Sequence, residues 1–217
     1  MISFRLSLLA GLMAAPLLAQ TPPAQSPAAP PAAGPPEPEF TYHLPEDWQI
    51  VRPKTPAPEQ QQKQEQKTPD IEVKKGIACL EVPMTARHGD PPSVVVIVAL
   101  PIDCYGQTMN DDSLPLLGAG AAEGLKQSFT ITDPVTASYS LAGHPMWIER
   151  ARGVPQGKTA PVYTLEIACT ILKKEAVCWL AQATEEAALR IFESAPVTLD
   201  GDAAPALVPD GLFLHAR

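Results

Sequence analysis

Four cysteines, Cys79, Cys104, Cys169 and Cys178, carry the most definite chemistry in this chain. None form a C-x-x-C pair, and their spacing lacks the close ligand pairs and histidine partners that zinc selects. A catalytic dithiol needs a thiol of depressed pKa near a helix N-terminus, and nothing in the sequence places one there. An even number without such a pattern reads as two disulfides if the chain reaches an oxidising compartment. The four histidines, His43, His88, His144 and His215, are scattered. His88 falls in a polar His-Gly-Asp loop and His144 in a Gly-His-Pro turn. Asn110-Asp111-Asp112 offers oxygens to a cation but stands where a helix start needs caps and acids, and Asp200-Gly201-Asp202 reads as a turn. No G-x-S-x-G, P-loop, dinucleotide fingerprint or H-E-x-x-H occurs. Gly118, Gly120 and Gly124 fall inside a predicted helix, not before it, so they read as helix–sheet packing and not as a phosphate loop. No catalytic, cofactor-binding or metal-binding residues are therefore assigned, and no cofactor is expected.

The compartment follows from the first residues. A short n-region with one charge, Arg5, precedes an uncharged apolar stretch from Leu6 to Ala19, and the composition turns polar at Gln20. This is the layout of a signal peptide over residues 1–19, with an apolar core too short to span a bilayer comfortably. The expectation is an exported chain, periplasmic or extracellular, with no integral span after cleavage. Loss of Arg5 moves the formal charge from −8 to −9. A chain this acidic, with no Lys/Arg cluster, is a poor partner for nucleic acid or an anionic membrane surface.

Half of the 26 prolines lie between Gln20 and Asp70. Residues 20–38 are nearly all Ala, Pro and Gln, an extended linker unable to bury a core. Residues 53–69 (PKTPAPEQQQKQEQKTP) read as a disordered insertion between two strands. One domain is expected over residues 39–197, followed by a loosely ordered tail, 198–217. Phe40, Tyr42 and Leu44 alternate as in a strand; Pro45-Glu46-Asp47 turns the chain, and Trp48, Ile50 and Val51 begin a second. Ile71–Val82 is read as a third strand, and Ser93–Leu100 (SVVVIVAL) as a central strand buried on both faces. Asp111-Asp112-Ser113-Leu114-Pro115 is a helix start, and Leu114, Leu117, Ala121 and Leu125 give one apolar face to about Lys126.

Period two returns from Asp133 to Leu141. Met146–Arg152, Val162–Leu172 and Ala176–Ala183 read as further strands. Thr184-Glu185-Glu186 begins a last helix with Ala188, Ile191 and Phe192 on its buried side. Runs of strands each followed by a helix argue for an α+β fold: a mostly antiparallel sheet of about eight strands with two main helices. Trp48, Trp147 and Trp179 are assigned to strands and to core packing.

The cysteines test this register. If Lys173-Lys174 are the centre of a two-residue hairpin, Cys169 lies directly across from Cys178 as a non-hydrogen-bonded pair. Such a pair has Cα atoms about 4.5 Å apart, short but acceptable for a disulfide. Both cysteines then share the apolar face with Tyr163, Leu165, Ile167, Ile171 and Leu180. Lys-Lys lacks the residues a primed turn prefers. Cys79 pairs with Cys104 by elimination.

The motif Phe40-x-Tyr42-x-Leu44-Pro45-Glu46-Asp47-Trp48, the later Leu141-x-Gly143-x-Pro145 and the order of elements over residues 39–197 resemble the PsbP-like/Mog1-like superfamily of α/β/α sandwich domains. The resemblance implies an antiparallel sheet with packed helices and a binding or assembly role without a common active site. It transfers no catalytic residue, and the 53–69 insertion and the four cysteines depart from its pattern. Two functions are carried forward. The first is a non-enzymatic binding or assembly domain engaging a protein of the cell envelope. The second is a small hydrolase or ligand carrier whose site unites dispersed groups such as His88, His144 and Asp103 in a deep polar pocket.

Overall fold

The computed structural model describes residues 39–51, 79–105 and 109–213. The expected signal peptide, the linker, the insertion at 53–69 and His215 lie outside the described residues. The fold is α+β with antiparallel sheets. Its elements are β1 (Phe40–Tyr42), β2 (Gln49–Val51), β3 (Glu81–His88), β4 (Ser93–Pro101), α1 (Ile102–Tyr105), α2 (Leu114–Lys126) and β5 (Phe129–Leu141). They continue with β6 (His144–Pro155), β7 (Tyr163–Ile171), β8 (Glu175–Ala183), α3 (Glu186–Glu193), β9 (Val197–Leu199) and β10 (Asp202–Ala204). No helix among the described residues is long and apolar enough to cross a membrane.

Seven strands form one sheet in the order β2-β3-β4-β8-β7-β6-β5, every neighbour antiparallel. Each face is covered by different elements. On one face lie Ile97, Ile148, Ala168 and Trp179, packed under α3 and the small sheet β1-β9-β10 through Phe40, Leu189, Phe192 and Leu199. On the other, Trp147, Ile167, Cys169 and Cys178 pack under Leu114 and Ala122 of α2. Period two along each strand sends alternate side chains to these two layers. β4 shows the consequence: its residues alternate between buried and half-buried, so SVVVIVAL is central but sealed on one face more than the other.

Local chemistry explains the elements. The β5–β6 hairpin closes through Ala142 and Gly143, both at positive φ (51° and 82°), the type I′ turn whose twist suits two strands. That is the physical content of Leu141-x-Gly143. β5 carries a bulge between Thr132 and Val135, with Asp133 at φ 52°, which restores Phe129 and Ile131 to the α2 face. α2 begins after a 3₁₀ turn, Asp111–Ser113, where the Ser113 hydroxyl donates to Asn110 Oδ1 (3.2 Å) and accepts from the Asn110 N–H (3.3 Å). Gly118 of α2 lies over Trp147, so close that a Cβ there would overlap the indole ring.

The β7–β8 hairpin has the register in which Cys169 faces Cys178. Neither Lys173 nor Lys174 has positive φ, so the turn is not of the primed type. Tertiary carboxylates hold it instead. Asp200 Oδ2 accepts from the Lys173 N–H (3.3 Å) and Glu39 Oε2 from the Lys174 N–H (2.8 Å).

Several expectations need correction. The strand placed at Ile71–Val82 is Glu81–His88 over the described residues; residues 71–78 lie outside them. Trp48 sits in the turn before β2, although it is buried like Trp147 and Trp179. In α3 Ala188 and Phe192 are buried as expected and Leu189 joins them, whereas Ile191 is only half-buried. The tail is the largest correction. Residues 197–204 form β9 and β10 around a second type I′ turn, Asp200-Gly201 (φ 49° and 92°), and Leu199 and Leu207 are fully buried. Leu207 and Val208 belong to the core under α3, so the chain to Phe213 is a structural strap.

Candidate functional site

The cysteines form Cys79–Cys104 and Cys169–Cys178, with Cα atoms 6.0 and 4.2 Å apart. The first ties the start of β3 to α1 just past β4, and the second joins neighbouring strands under α2. Two disulfides suit a chain that folds in an oxidising compartment.

The histidines are parted by the sheet. His88 ends β3 beside the turn into β4, where its Nε2 lies 3.0 Å from Asp47 Oδ2 and its ring stacks on Trp48 at 5.5 Å. A cavity of about 170 Å³ opens there against Gln49 and Arg87. Ser93 is opposite His88 in the register, but it is buried and no hydrogen bond joins the two among the described residues. His144 starts β6 at the other end of the sheet, 3.9 Å from Asp200. Asp103 is exposed on α1. Thus His88 and His144 stand at opposite ends, and neither described cavity unites them with Asp103. Asp111 and Asp112 are exposed in the helix-capping turn.

The structure assembles a different cluster. β7 reads Tyr-Thr-Leu-Glu-Ile-Ala-Cys-Thr-Ile, and its period two turns Glu166 to the α3 side, fully buried. Arg150, opposite it on β6, donates from Nε to Glu166 Oε2 at 2.8 Å. The same guanidinium pairs through Nη2 with Glu193 at the end of α3. Phe213 of the strap lies over it, 4.1 Å from Arg Cζ to the ring centroid, a cation–π contact. The strap is held beside this cluster by Tyr139, whose hydroxyl donates to the Leu207 carbonyl (2.8 Å), and by the Val208 N–H donating to Glu193 O (2.9 Å).

Burial pushes the Glu166 carboxyl up to about 8; the Arg150 charge opposes the rise and the Glu193 carboxylate adds to it. Burial likewise raises Glu193, again against Arg150. At neutral pH burial therefore favours the protonated form of Glu166, whose Oε1 has no hydrogen-bond partner among the described residues. Burial and the nearby Glu166 also raise the Tyr42 and Tyr139 hydroxyls, which remain donors.

Beside this cluster runs a cleft of about 1050 Å³. Its floor is Arg150, Arg152 and Thr164 of β6 and β7, and one wall is Glu186, Arg190 and Glu193 of α3. The opposite rim has Asp133 on the β5 bulge, and the strap adds Leu212 and Phe213. Glu166 lies beneath the cleft and does not reach it; its effect is through Arg150. Cations and acids thus both line a cleft that Leu212 and Phe213 border with apolar surface. Among the described residues no group of three or more His, Cys, Asp or Glu side chains could hold a metal ion.

Sequence reasoning passed over this cluster. The available signal was a lone glutamate between Leu165 and Ile167 in a strand flanked by buried strands, with Arg150-x-Arg152 on its neighbour. Compared with known proteins, the sequence matches no family model and no curated protein.

Proposed function

We propose that this chain is an exported, non-enzymatic binding domain that engages a protein of the cell envelope through the cleft beneath α3. One observation carries the reading: a cleft of about 1050 Å³, lined by both cations and acids and bordered by Leu212 and Phe213. Small-molecule sites span about 300–1,000 Å³ and are mostly apolar with few polar groups. A channel at the top of that range with charged walls suits a polypeptide segment, whose backbone carbonyls and charged side chains can meet both signs. The antiparallel α+β fold and the Phe40–Trp48 and Leu141–Pro145 motifs support a PsbP-like/Mog1-like assignment, which carries the same binding or assembly role. The two disulfides and the apolar N-terminal stretch support export.

The test is cross-linking capture from the native envelope fraction with the purified chain as bait. A partner held through salt washing by the wild type and released by Arg152→Glu with Arg190→Glu is the expected result. Equal capture by both proteins would move the binding surface away from the cleft.

A further inference from the structure

One edge of the large sheet points to a second copy of this chain. Among the described residues β2, Gln49–Val51, forms one edge, and the residues that follow it lie outside them. The other, β5, runs thirteen residues and among the described residues pairs with β6 alone. Its bulge and Pro134 protect only the first part. From Val135 to Leu141 the sequence is Val-Thr-Ala-Ser-Tyr-Ser-Leu, with no charge, no proline and no bulge. Charge, proline and bulges are the means by which proteins blunt an edge, and this stretch of β5 has none of them.

The hairpin geometry says which backbone groups are free. In a two-residue type I′ hairpin the closing pair, Leu141 with His144, exchanges both hydrogen bonds, and pairs alternate from there. Tyr139, Ala137 and Val135 therefore bond inward to β6. Thr136, Ser138 and Ser140 direct N–H and C=O outward, where no backbone partner meets them among the described residues. The side chains of these three are exposed, while Val135, Ala137 and Tyr139 on the α3 side are half-buried.

We infer that β5 pairs with β5 of a second copy, antiparallel about Ser138, joining the two large sheets. In that register Ser138 meets its own copy and Thr136 meets Ser140, so outward groups meet outward groups in hydrogen-bonded pairs. Ala137 meets Tyr139 and Val135 meets Leu141, extending the half-buried apolar row into the partner's. Asp133 falls opposite Gly143, so no like charges oppose each other. The pairing uses backbone edges and leaves the floor of the cleft free.

Sedimentation velocity of the purified chain across a concentration series tests this. The wild type is expected to shift from monomer to dimer. Ser138→Lys places two ammonium groups opposite each other at the two-fold and weakens association by about tenfold or more, an effect relieved by salt. Ser138→Pro removes only an outward N–H, so it spares the pairing with β6 and leaves a monomer. Amide exchange of the unaltered chain gives a check that needs no variant: protection at Thr136, Ser138 and Ser140 rises with concentration. A wild type that stays monomeric, a dimer indifferent to folded Ser138 variants, or exchange independent of concentration would each overturn the inference.

Discussion

The two faces of the seven-stranded sheet are held by different physics. Under α2 the layer is thin: Trp147, Leu114, Ala122 and Ile167 pack around a disulfide that bridges adjacent strands. Gly118 is required because the helix approaches the indole too closely for any side chain. Under α3 and the small sheet the layer is deep, with Trp179, Phe192, Leu189 and Leu199 almost wholly buried, each contributing about 1.5–3 kcal/mol. This deep face encloses a glutamate and its arginine, and the cleft of about 1050 Å³ opens beside them. The covalent link stabilises the face with the smaller core, and the charged cluster lies where surrounding apolar mass is greatest.

The largest effect should come from the deep face. Arg150→Met leaves Glu166 and Glu193 without their cation and should cost about 3–5 kcal/mol in urea denaturation at pH 8. The loss should be smaller at pH 5, where both acids can take protons. A loss below ~1 kcal/mol at pH 8 would show that the cluster does not organise this face.

On the α2 face, replacing Cys169 and Cys178 together with alanine opens a bridge spanning nine residues, which should cost about 2–3 kcal/mol. The disulfide closes so short a loop that its removal should lower the denaturation midpoint without abolishing the fold. Gly118→Ala should cost about 1–3 kcal/mol by displacing Trp147, seen as a changed indole fluorescence spectrum. If both sets of α2-face variants outweighed Arg150→Met, the contrast between the faces would be reversed.

The most graded effect is in pH. Glu166 has an ordinary value of 4.5 and a folded value of about 8. Between those values the folded chain binds a proton that the unfolded chain has released. Its contribution is thus full below about pH 4.5 and is lost as pH rises through 8. Burial raises Glu193, Glu149 and Glu175 in the same direction. Stability should therefore fall from pH 5 to pH 8, and Glu166→Gln should flatten that fall. An unchanged slope in the variant would remove Glu166 as its source.

What could be read from the sequence depended on how local the determining contacts are. The β7–β8 register was accessible because Cys169 and Cys178 are nine residues apart and one hairpin brings them together. The span of α2 was accessible from its acids, its proline and its apolar spacing. β9 and β10 were not, since strands of three residues carry too little periodicity, and β9 finds its partner in β1 at the other end of the domain. The cluster was hidden for a related reason. Thr164, Glu166 and Thr170 give one side of β7 the look of a solvent face, yet α3 and the strap, supplied by later sequence, cover it.

The central claim is that the cleft is the binding surface, and a photo-activated cross-linker tests it most directly. One probe would replace Thr164 on the cleft floor, and the control Leu116, which is 76% exposed on α2 across the sheet. With the native envelope fraction, the account predicts one discrete adduct from position 164 and none from position 116. Adducts from position 116 alone, or equal labelling from both, would contradict it.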